Sequence, residues 1–363
     1  MTKVATFGEI MGRMAVPGFL RFRQALPGSI DVTFAGAEAN VAASLSMLGV
    51  PAAFVTALPK NAIADACVAS LQTLGIDTRH ILRTDEGRLG LYFLETGANQ
   101  RPSQVVYDRS WSSVSMAGAD RYDWPAIFAG ATWLHVTGIT PSISRAAAEA
   151  TLAAVEAAKA AGLTVSCDLN FRKKLWRWDE SLPPRELAEQ TMRQVLPNVD
   201  LVIANEEDCA AVLGIHAAHT DVDAGELQIA AYPDVARQLV AQFGNVTKVG
   251  ITLRESISAS HNNWGAMLYC PDADQAYFAP MRGDAYQPYE IRNIVDRVGG
   301  GDSFAAGLIC ALNTPELCAP ETAIRFATAA SCLAHSVIGD FNYSTRAEVE
   351  SLMSGSGSGR VVR

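Results

Sequence analysis

Three consecutive glycines, Gly299, Gly300 and Gly301, stand directly before Asp302 and an apolar helical pattern over residues 304–312. Glycines that open a helix let backbone N–H groups converge on an anion, with the positive end of the helix dipole behind them. A carboxylate beside such a site can take the proton of a hydroxyl while a phosphoryl group is transferred to it. We expect a side chain at Gly300 to obstruct that approach. The alternative is that Asp302 is an ordinary helix cap.

Two further clusters place polar groups where predicted elements meet. In residues 35–42, Gly36 would let a ligand approach the backbone and Asn40 offers a donor and an acceptor to sugar hydroxyls. The alternative for this segment is a simple turn into a helix. Asp168, Asn170 and Arg172 follow an apolar strand pattern. Arg172 could bind a carboxylate or phosphate through two parallel hydrogen bonds, or form a surface salt bridge.

Two more clusters also follow strand patterns. Asn205 and Asp208 carry oxygens suited to Mg²⁺ and its waters, although the same residues would fit the charged first turn of a helix. Thr252 and Arg254 stand at the end of another predicted strand. Ligands of open α/β sheets collect at the carboxyl ends of the strands. Together the clusters therefore predict one site at that edge.

Several well-defined motifs are absent from the sequence. It contains no G-x-x-x-x-G-K-[ST], no G-x-G-x-x-G after the first strand, no H-E-x-x-H and no H-R-D. A P-loop, a dinucleotide-binding turn, a zinc protease and a protein kinase are thus unsupported. Residues 301–303 do not complete G-x-S-x-G, which disfavours a serine hydrolase.

The elements that must position these residues alternate between strands and helices. Strands are predicted at residues 3–9, 53–57, 132–137, 163–169, 201–204 and 248–253, and most are almost wholly apolar. Helices are predicted at 61–74, 144–161 and 234–243, each followed by a glycine. Buried strands alternating with helices indicate an α/β fold with a doubly wound, mostly parallel sheet.

Segments 12–34 and 88–112 break this alternation. The second contains two short strand patterns, 89–95 and 104–108, around a turn at 97–102. We interpret both segments as a small β-layer outside the main sheet, the alternative being two surface loops. Residues 266–270 and 275–279 predict a hairpin. The Gly/Ser-rich residues 351–363 predict a flexible tail after a domain spanning 1–350.

Composition limits the function classes. The chain has 363 residues, 49% hydrophobic and 18% charged, which is typical of a globular protein with two domains or one large domain with an appendage. With 38 acidic and 29 basic residues its net charge is −9, which argues against nucleic acid as a partner. The sequence contains no run of about 18 apolar residues, so a membrane partner is not expected.

Cysteine usage and the N-terminus predict a cytoplasmic protein. The seven cysteines are odd in number and include no C-x-x-C pair, which indicates free thiols in a reducing compartment. Residues 1–9 lack the apolar core of a signal peptide.

The chain resembles the ribokinase-like, phosphofructokinase-B-type sugar kinases over nearly its whole length. Residues 296–307 resemble their C-terminal signature, and 35–40 their N-terminal glycine motif. Within the family it is most similar to the 2-keto-3-deoxygluconate kinases. The segments that carry this narrower resemblance are 8–11, 17–22, 36–40, 106–109, 138–141, 168–176, 205–208 and 339–342.

The resemblance implies a Rossmann-like domain with a β-sheet lid over the sugar, and a homodimer or higher homo-oligomer formed through the lid. It implies ATP-dependent conversion of 2-keto-3-deoxygluconate to 2-keto-3-deoxy-6-phosphogluconate, with ATP and Mg²⁺ as cofactors. A role for a monovalent cation such as K⁺ is left open.

Residue roles follow from the same resemblance. Asp302 is the implied base, with Gly299, Gly300 and Gly301 as the anion hole. The implied substrate-binding residues are Gly36, Asn40, Tyr92, Tyr107, Arg109, Asp168, Asn170 and Arg172. The implied ATP-binding residues are Asn205, Thr252, Arg254 and Gly301. Asp208, which stands where the family usually has glutamate, is the implied water-mediated ligand of Mg²⁺.

The sequence is compatible with two other functions. A neutral-sugar kinase of the same fold, such as a fructokinase, would not need two cations, whereas Arg109 and Arg172 suit a carboxylate. A non-catalytic sugar-binding protein would not need an intact glycine turn and Asp302.

Overall fold

Almost wholly apolar runs form the strands of a central sheet, because a strand covered by helices on both sides exposes no polar face. The computed structural model describes residues 3–205, 207–216 and 229–355. In chain order the strands are β1 (Val4–Phe7), β2 (Met11–Ala15), β3 (Asp31–Ala35), β4 (Ala52–Val55), β5 (Ala57–Pro59), β6 (Leu82–Thr84), β7 (Gly90–Glu95), β8 (Gln104–Asp108), β9 (Trp133–Thr137), β10 (Thr164–Asp168), β11 (Leu201–Ala204), β12 (Lys248–Ser258), β13 (His261–Cys270), β14 (Gln275–Ala279), β15 (Met281–Arg282), β16 (Ala285–Tyr286) and β17 (Tyr289–Ile291).

The α-helices connect these strands. In chain order they are α1 (Phe22–Ala25), α2 (Ala37–Met47), α3 (Ala62–Thr73), α4 (Ser113–Met116), α5 (Trp124–Phe128), α6 (Ile139–Ser142), α7 (Arg145–Ala160), α8 (Pro184–Val195), α9 (Asp208–Leu213), α10 (Tyr232–Gln242), α11 (Gly300–Leu312), α12 (Pro320–Ala334) and α13 (Arg346–Met353).

The central sheet has the order β14-β13-β12-β11-β10-β9-β1-β4, with β17 paired to β13. Within this sheet, the neighbouring strands β4, β1, β9, β10, β11 and β12 pair in parallel. Strand β13 pairs antiparallel with its three neighbours, β12, β14 and β17. The predicted mostly parallel sheet is confirmed, and β13–β14 is the predicted hairpin.

Helices cover both faces of this sheet and create two separate cores. Val4 packs into one core with α2, α11 and α12, whereas its neighbour Ala5 packs into the other with α7, α8 and α10. Successive side chains of a strand point to opposite faces, so β1 contributes to both cores. The doubly wound arrangement follows from that alternation.

Local signals set the predicted helix ends. Ser144 and Asn61 accept hydrogen bonds from the N–H groups of Ala147 and Ala64, and so cap α7 and α3. Gly162 and Gly75 follow these helices with φ of +78° each, a conformation that glycine adopts without strain. Helix α10 begins at Tyr232, two residues earlier than predicted, and Pro233 stands in its first turn.

The two irregular segments form a separate four-stranded sheet with the order β3-β2-β7-β8, which we call the lid sheet. Strands β7 and β8 occupy the predicted positions around the predicted turn. The β-layer interpretation is therefore the right one, and the loop alternative is wrong.

Other predictions concern the tail, the membrane and the thiols. Helix α13 extends to Met353, so residues 351–353 of the predicted tail are helical, and 356–363 lie outside the described residues. Among the residues that are described, no helix is both long and apolar enough to span a bilayer. All seven cysteines are described and are free thiols.

Candidate active site

A cavity of about 320 Å³ lies at the carboxyl ends of the parallel strands, beside the lid sheet. All site residues named from the sequence line it: Gly36, Asn40, Tyr92, Tyr107, Arg109, Asp168, Asn170, Arg172, Asn205, Asp208, Thr252, Arg254, Gly299, Gly300, Gly301 and Asp302. The fold thus brings the separate clusters of the sequence to one place.

The three glycines have three different environments. Gly299 has φ +85°, and a Cβ there would lie 2.2 Å from the carbonyl oxygen of Asp340. A Cβ on Gly300 would lie 3.1 Å from Cε1 of His335, whereas a Cβ on Gly301 would meet no atom within 4 Å. Gly301, rather than Gly300 as expected, is therefore the position where a side chain would take open space in the cavity. The helix also begins earlier than predicted, at Gly300.

Asp302 is the third residue of α11 and is 8% exposed. Its Oδ2 accepts a hydrogen bond of 2.7 Å from Nδ2 of Asn40. The N-cap position belongs to Gly299, which makes no side-chain capping bond, so Asp302 does not act as the cap. Burial raises the pKa of Asp302 to about 6, helped by the charge of Asp340 and opposed by the Asn40 hydrogen bond and by Arg172. A carboxyl with this pKa is largely ionised at neutral pH and still basic enough to accept a proton.

Gly36 and Asn40 have structural roles that the sequence did not suggest. A Cβ on Gly36 would lie 2.0 Å from the carbonyl oxygen of Glu9, so glycine is required where the start of α2 meets the residues that follow β1. Oδ1 of Asn40 accepts from the N–H of Gly36 at 3.1 Å, while its Nδ2 binds Asp302. Asn40 therefore orients the carboxylate as well as lining the cavity.

The end of β10 and the turn after it bring Asp168, Asn170 and Arg172 to the cavity. Asn170 has φ +37°, and its N–H donates to Oδ1 of Asp168 at 3.1 Å. The exposed guanidinium of Arg172 lowers the pKa values of Asp168, Asp208 and Asp302. Burial nevertheless keeps the pKa of Asp168 raised, with Asp208 and Asp302 adding to the effect. Arg172 and these three carboxylates therefore line the same cavity, and its positive charge favours their ionised forms.

Asn205 and Asp208 stabilise the turn after β11 through two reciprocal hydrogen bonds. Oδ1 of Asn205 accepts from the N–H of Asp208 at 2.9 Å, and Oδ2 of Asp208 accepts from the N–H of Asn205 at 3.0 Å. The described residues contain no group of three or more His, Cys, Asp or Glu side chains that could hold a metal ion. The nearby carboxylates of Asp168 and Asp208 do fit a Mg²⁺ that keeps most of its water and phosphate ligands.

Thr252 and Arg254 lie within a strand and not at its end. Strand β12 continues to Ser258 because β13 supplies antiparallel backbone partners along its length, with Arg254 opposite Trp264. The sequence-based strand end at residue 253 is therefore wrong. Both side chains still line the cavity.

The lid sheet contributes Tyr92 and Tyr107 to the cavity, and Arg109 reaches it from the position just after β8. Tyr92 and Tyr107 are cross-strand neighbours, with ring centroids 6.4 Å apart. The guanidinium carbon of Arg109 lies 5.4 Å from the ring centroid of Tyr107. Arg109 also forms a buried salt bridge with Glu9. Its charge is compensated within the protein, which the sequence did not predict.

Sequence reasoning assigned no role to Glu9, Asp340, His335 and Arg297, all of which line the cavity. Glu9 and Asp340 stand in segments 8–11 and 339–342, which carry the family resemblance, and Glu9 is the last residue of the first strand pattern. That position was the available signal. His335 gives no such signal, because it reaches the cavity from the end of α12.

The fold and the cavity define an α/β protein with a doubly wound sheet, a small separate sheet and a cavity of about 320 Å³ lined by residues of both. A family model described as pfkB family carbohydrate kinase matches residues 1–243. The 2-dehydro-3-deoxygalactonokinase of Haloferax volcanii is 30% identical over 98% of both chains. The 2-dehydro-3-deoxygluconokinase of Bacillus subtilis is 30% identical over 47% of this chain and 52% of that protein.

Among solved structures, the 2-dehydro-3-deoxygluconokinase of Thermotoga maritima is 42% identical, with a TM-score of 0.87 over 98% of this chain and all of that one. The chain belongs to the PfkB family of carbohydrate kinases and is a sugar kinase.

Proposed function

We propose that the protein transfers the γ-phosphoryl group of ATP to the 6-hydroxyl of 2-keto-3-deoxygluconate, giving 2-keto-3-deoxy-6-phosphogluconate. The observation that carries this proposal is the carboxylate of Asp302, buried beside the open face of Gly301 in a cavity that also contains Arg172. The similarity to kinases named for 2-keto-3-deoxy sugar acids supports the same acceptor class.

In the proposed step, Asp302 accepts the proton of the sugar 6-hydroxyl while the hydroxyl oxygen bonds to the γ-phosphorus. The bond from that phosphorus to the bridging oxygen breaks, and ADP leaves with the electron pair. Backbone N–H groups at the start of α11 stabilise the charge on the transferred group. Asn40 holds the base in place through its 2.7 Å hydrogen bond.

We assign the nucleotide to the side of the cavity lined by Asn205, Thr252 and Arg254. Burial and the nearby Arg254 lower the pKa of Arg297, which indicates two cations close together. An anionic phosphate chain would be attracted to this side of the cavity. Mg²⁺, when bound, neutralises phosphate charge, and Asp208 would hold it through water beside Asp168.

One observation favours a second candidate, a neutral-sugar kinase of the same family. Because Glu9 compensates Arg109, only Arg172 of the two proposed carboxylate-binding arginines lies exposed in the cavity. A fructokinase is compatible with a single exposed arginine, because its neutral sugar does not need two cations.

An ATP-turnover assay with a panel of sugar acids and neutral sugars tests the proposal. We expect kcat/KM for 2-keto-3-deoxygluconate to exceed that for fructose by about 10- to 100-fold, the effect of one charge-assisted hydrogen bond. The Asp302→Asn variant measures any background from contaminating kinases. Preference for fructose would favour the second candidate, and no turnover with any sugar would contradict kinase activity.

Gly301→Ala is expected to lower kcat about 10-fold and to leave Tm unchanged or higher. The methyl group meets no protein atom, and alanine is favoured over glycine in a helix by about 0.5–1 kcal/mol, but it enters the space of the phosphoryl group. Steady-state kinetics and thermal unfolding are the measurements. Gly300→Ala is the comparison variant, since its methyl would lie 3.1 Å from Cε1 of His335 instead of in open space. Equal losses of kcat in both variants would contradict the assignment.

We also propose that the lid sheet forms the interface of a homodimer. Val32, Met14, Phe93 and Val106 form one cross-strand row on its outer face, and Val32 and Val106 are 57% and 55% exposed. Such an apolar row is typical of a surface covered by a partner. Light scattering should show a dimer that Val32→Asp/Val106→Asp converts to monomer. Ile63→Asp, a similarly exposed site on α3, should leave the dimer intact.

A further inference from the structure

A buried arginine of the lid sheet lies between two carboxylates, one before α11 and one after α12. Arg13 on β2 is 3% exposed and forms salt bridges with both Asp296 and Asp340, which are 4% and 7% exposed. Arg13 itself does not line the cavity, whereas Asp340 does. The structure therefore contains a charged connection between the lid sheet and the segments around α11.

Asp296 holds the chain on one side of the glycine turn. Its Oδ1 accepts from the N–H groups of Arg297 and Val298, at 2.8 and 3.2 Å. Its Oδ2 accepts from the N–H of Gly339 at 3.2 Å, in addition to Arg13. Asp296 thus joins residues 297–298, which lead directly into Gly299, to the residue before Asp340.

Asp340 holds the other side of the turn. Its carbonyl oxygen packs so closely on Gly299 that a Cβ there would lie 2.2 Å away. Its carboxylate accepts from the hydroxyl of Tyr92 at 2.8 Å, and Tyr92 lines the cavity from the lid sheet. The position of the Asp340 backbone therefore limits where Gly299 can lie.

Charge compensation explains why an arginine is needed there. Two buried carboxylates repel each other unless a cation lies between them, and the planar guanidinium can serve both at once. Lysine offers one ammonium and cannot reproduce the two-sided geometry.

We propose that Arg13 is a positioning residue for phosphoryl transfer. Through Asp296 and Asp340 it fixes the segments on either side of the glycine turn, and so holds residues 299–301 in place relative to the lid sheet that covers the acceptor. The inference rests on the proposed role of the glycine turn as the anion site.

The test compares Arg13→Ala, Arg13→Lys and a matched control, Arg88→Ala. Arg88 forms an exposed ion pair with Asp108 on the lid sheet, with side chains 38% and 51% exposed. Kinetics use the best acceptor of the wild-type panel, whichever sugar that is. Bound ATP per chain, measured by calorimetry, gives the fraction of competent protein.

Arg13→Ala is expected to lower kcat per competent chain about 10- to 30-fold while KM for ATP and acceptor changes less than about 3-fold. Guanidinium chloride at millimolar concentration should restore part of kcat, and sodium chloride at equal ionic strength should not. The kcat of Arg13→Lys should lie between that of the wild-type protein and that of Arg13→Ala. Arg88→Ala should match the wild-type protein.

If Arg13→Ala does not fold, the double variant Arg13→Met/Asp296→Asn replaces it in the test. Of the two carboxylates that lose Arg13, the double variant leaves only Asp340 charged. Wild-type kcat in a folded variant would overturn the proposal, as would a loss of activity that only follows the fraction folded. Wild-type kcat in Gly301→Ala together with a reduced kcat in Arg13→Ala would also overturn it, because the glycine turn would then not be the anion site through which Arg13 is proposed to act. A different preferred acceptor would change the proposed substrate and leave the Arg13 result standing.

Discussion

Asp302→Asn is expected to lower kcat by about 10²–10⁴-fold, the typical contribution of a positioned general base. The amide keeps the shape of the side chain and can still accept a hydrogen bond from Asn40, but it takes no proton from the sugar hydroxyl. ATP binding should be retained, since the carboxylate contributes to the transfer step. Steady-state kinetics with titration of ATP binding measure both effects.

The same substitution is not expected to destabilise the protein at neutral pH. Because the folded pKa of Asp302 is raised to about 6 from an ordinary 3.8, stability is lost as the pH rises through that range. The buried charge then costs on the order of 3 kcal/mol, which asparagine removes. Tm at pH 7.5 should therefore be equal or higher, as measured by thermal unfolding.

Asp234→Asn is the matched control for Asp302→Asn. Asp234 is also the third residue of its helix, α10, but its side chain is 70% exposed and paired with Arg237. That variant should have wild-type kcat. Near-normal kcat in Asp302→Asn, in protein that binds ATP, would refute the role of Asp302 as the base.

The pH profile provides an independent check on Asp302. A base works only when ionised, so kcat/KM of the wild-type enzyme should fall as the pH drops below about 6. Asp340 raises this pKa, and Arg172 and the Asn40 hydrogen bond lower it. The acidic limb should disappear in Asp302→Asn. Its persistence there would assign the titration to another group.

Arg172→Lys is expected to raise KM for the sugar acid by about 10- to 100-fold. One charge-assisted hydrogen bond contributes roughly 1.5–3 kcal/mol, and each 1.4 kcal/mol is about a factor of ten. Lysine keeps the charge but loses the planar pair of donors that matches a carboxylate. KM for ATP should remain nearly unchanged, because the nucleotide is assigned to the side of the cavity lined by Asn205, Thr252 and Arg254.

Two comparisons separate a specific effect of Arg172 from a general one. Arg177→Lys changes another exposed arginine just after the same turn, and it should leave every KM unchanged. Fructose, where it is used, should be phosphorylated by Arg172→Lys as well as by the wild-type enzyme. An equal loss of kcat/KM for fructose and for the sugar acid would show that Arg172 does not bind a carboxylate. The neutral-sugar kinase would then become the better proposal.

The amino-acid sequence by itself determined the fold class and the place of the site. Apolar strand runs, the helix caps at Asn61 and Ser144 and the glycines after those helices are local signals, and each acts over a few residues. The glycine turn before Asp302 is equally local. Since the carboxyl ends of parallel strands share one edge, local patterns were enough to predict that the clusters would meet in one cavity.

The tertiary structure alone decided which groups are paired and which remain available to a ligand. Asn40 and Asp302 are 262 positions apart, Glu9 and Arg109 are 100 apart, and Arg13 and Asp340 are 327 apart. No local pattern encodes such partners, because a salt bridge depends on where two distant segments pack. The continuation of β12 past residue 253 likewise depended on β13 being beside it. Burial raises the pKa of Asp302, and burial exists only once the lid sheet, α2 and α11 have enclosed the cavity.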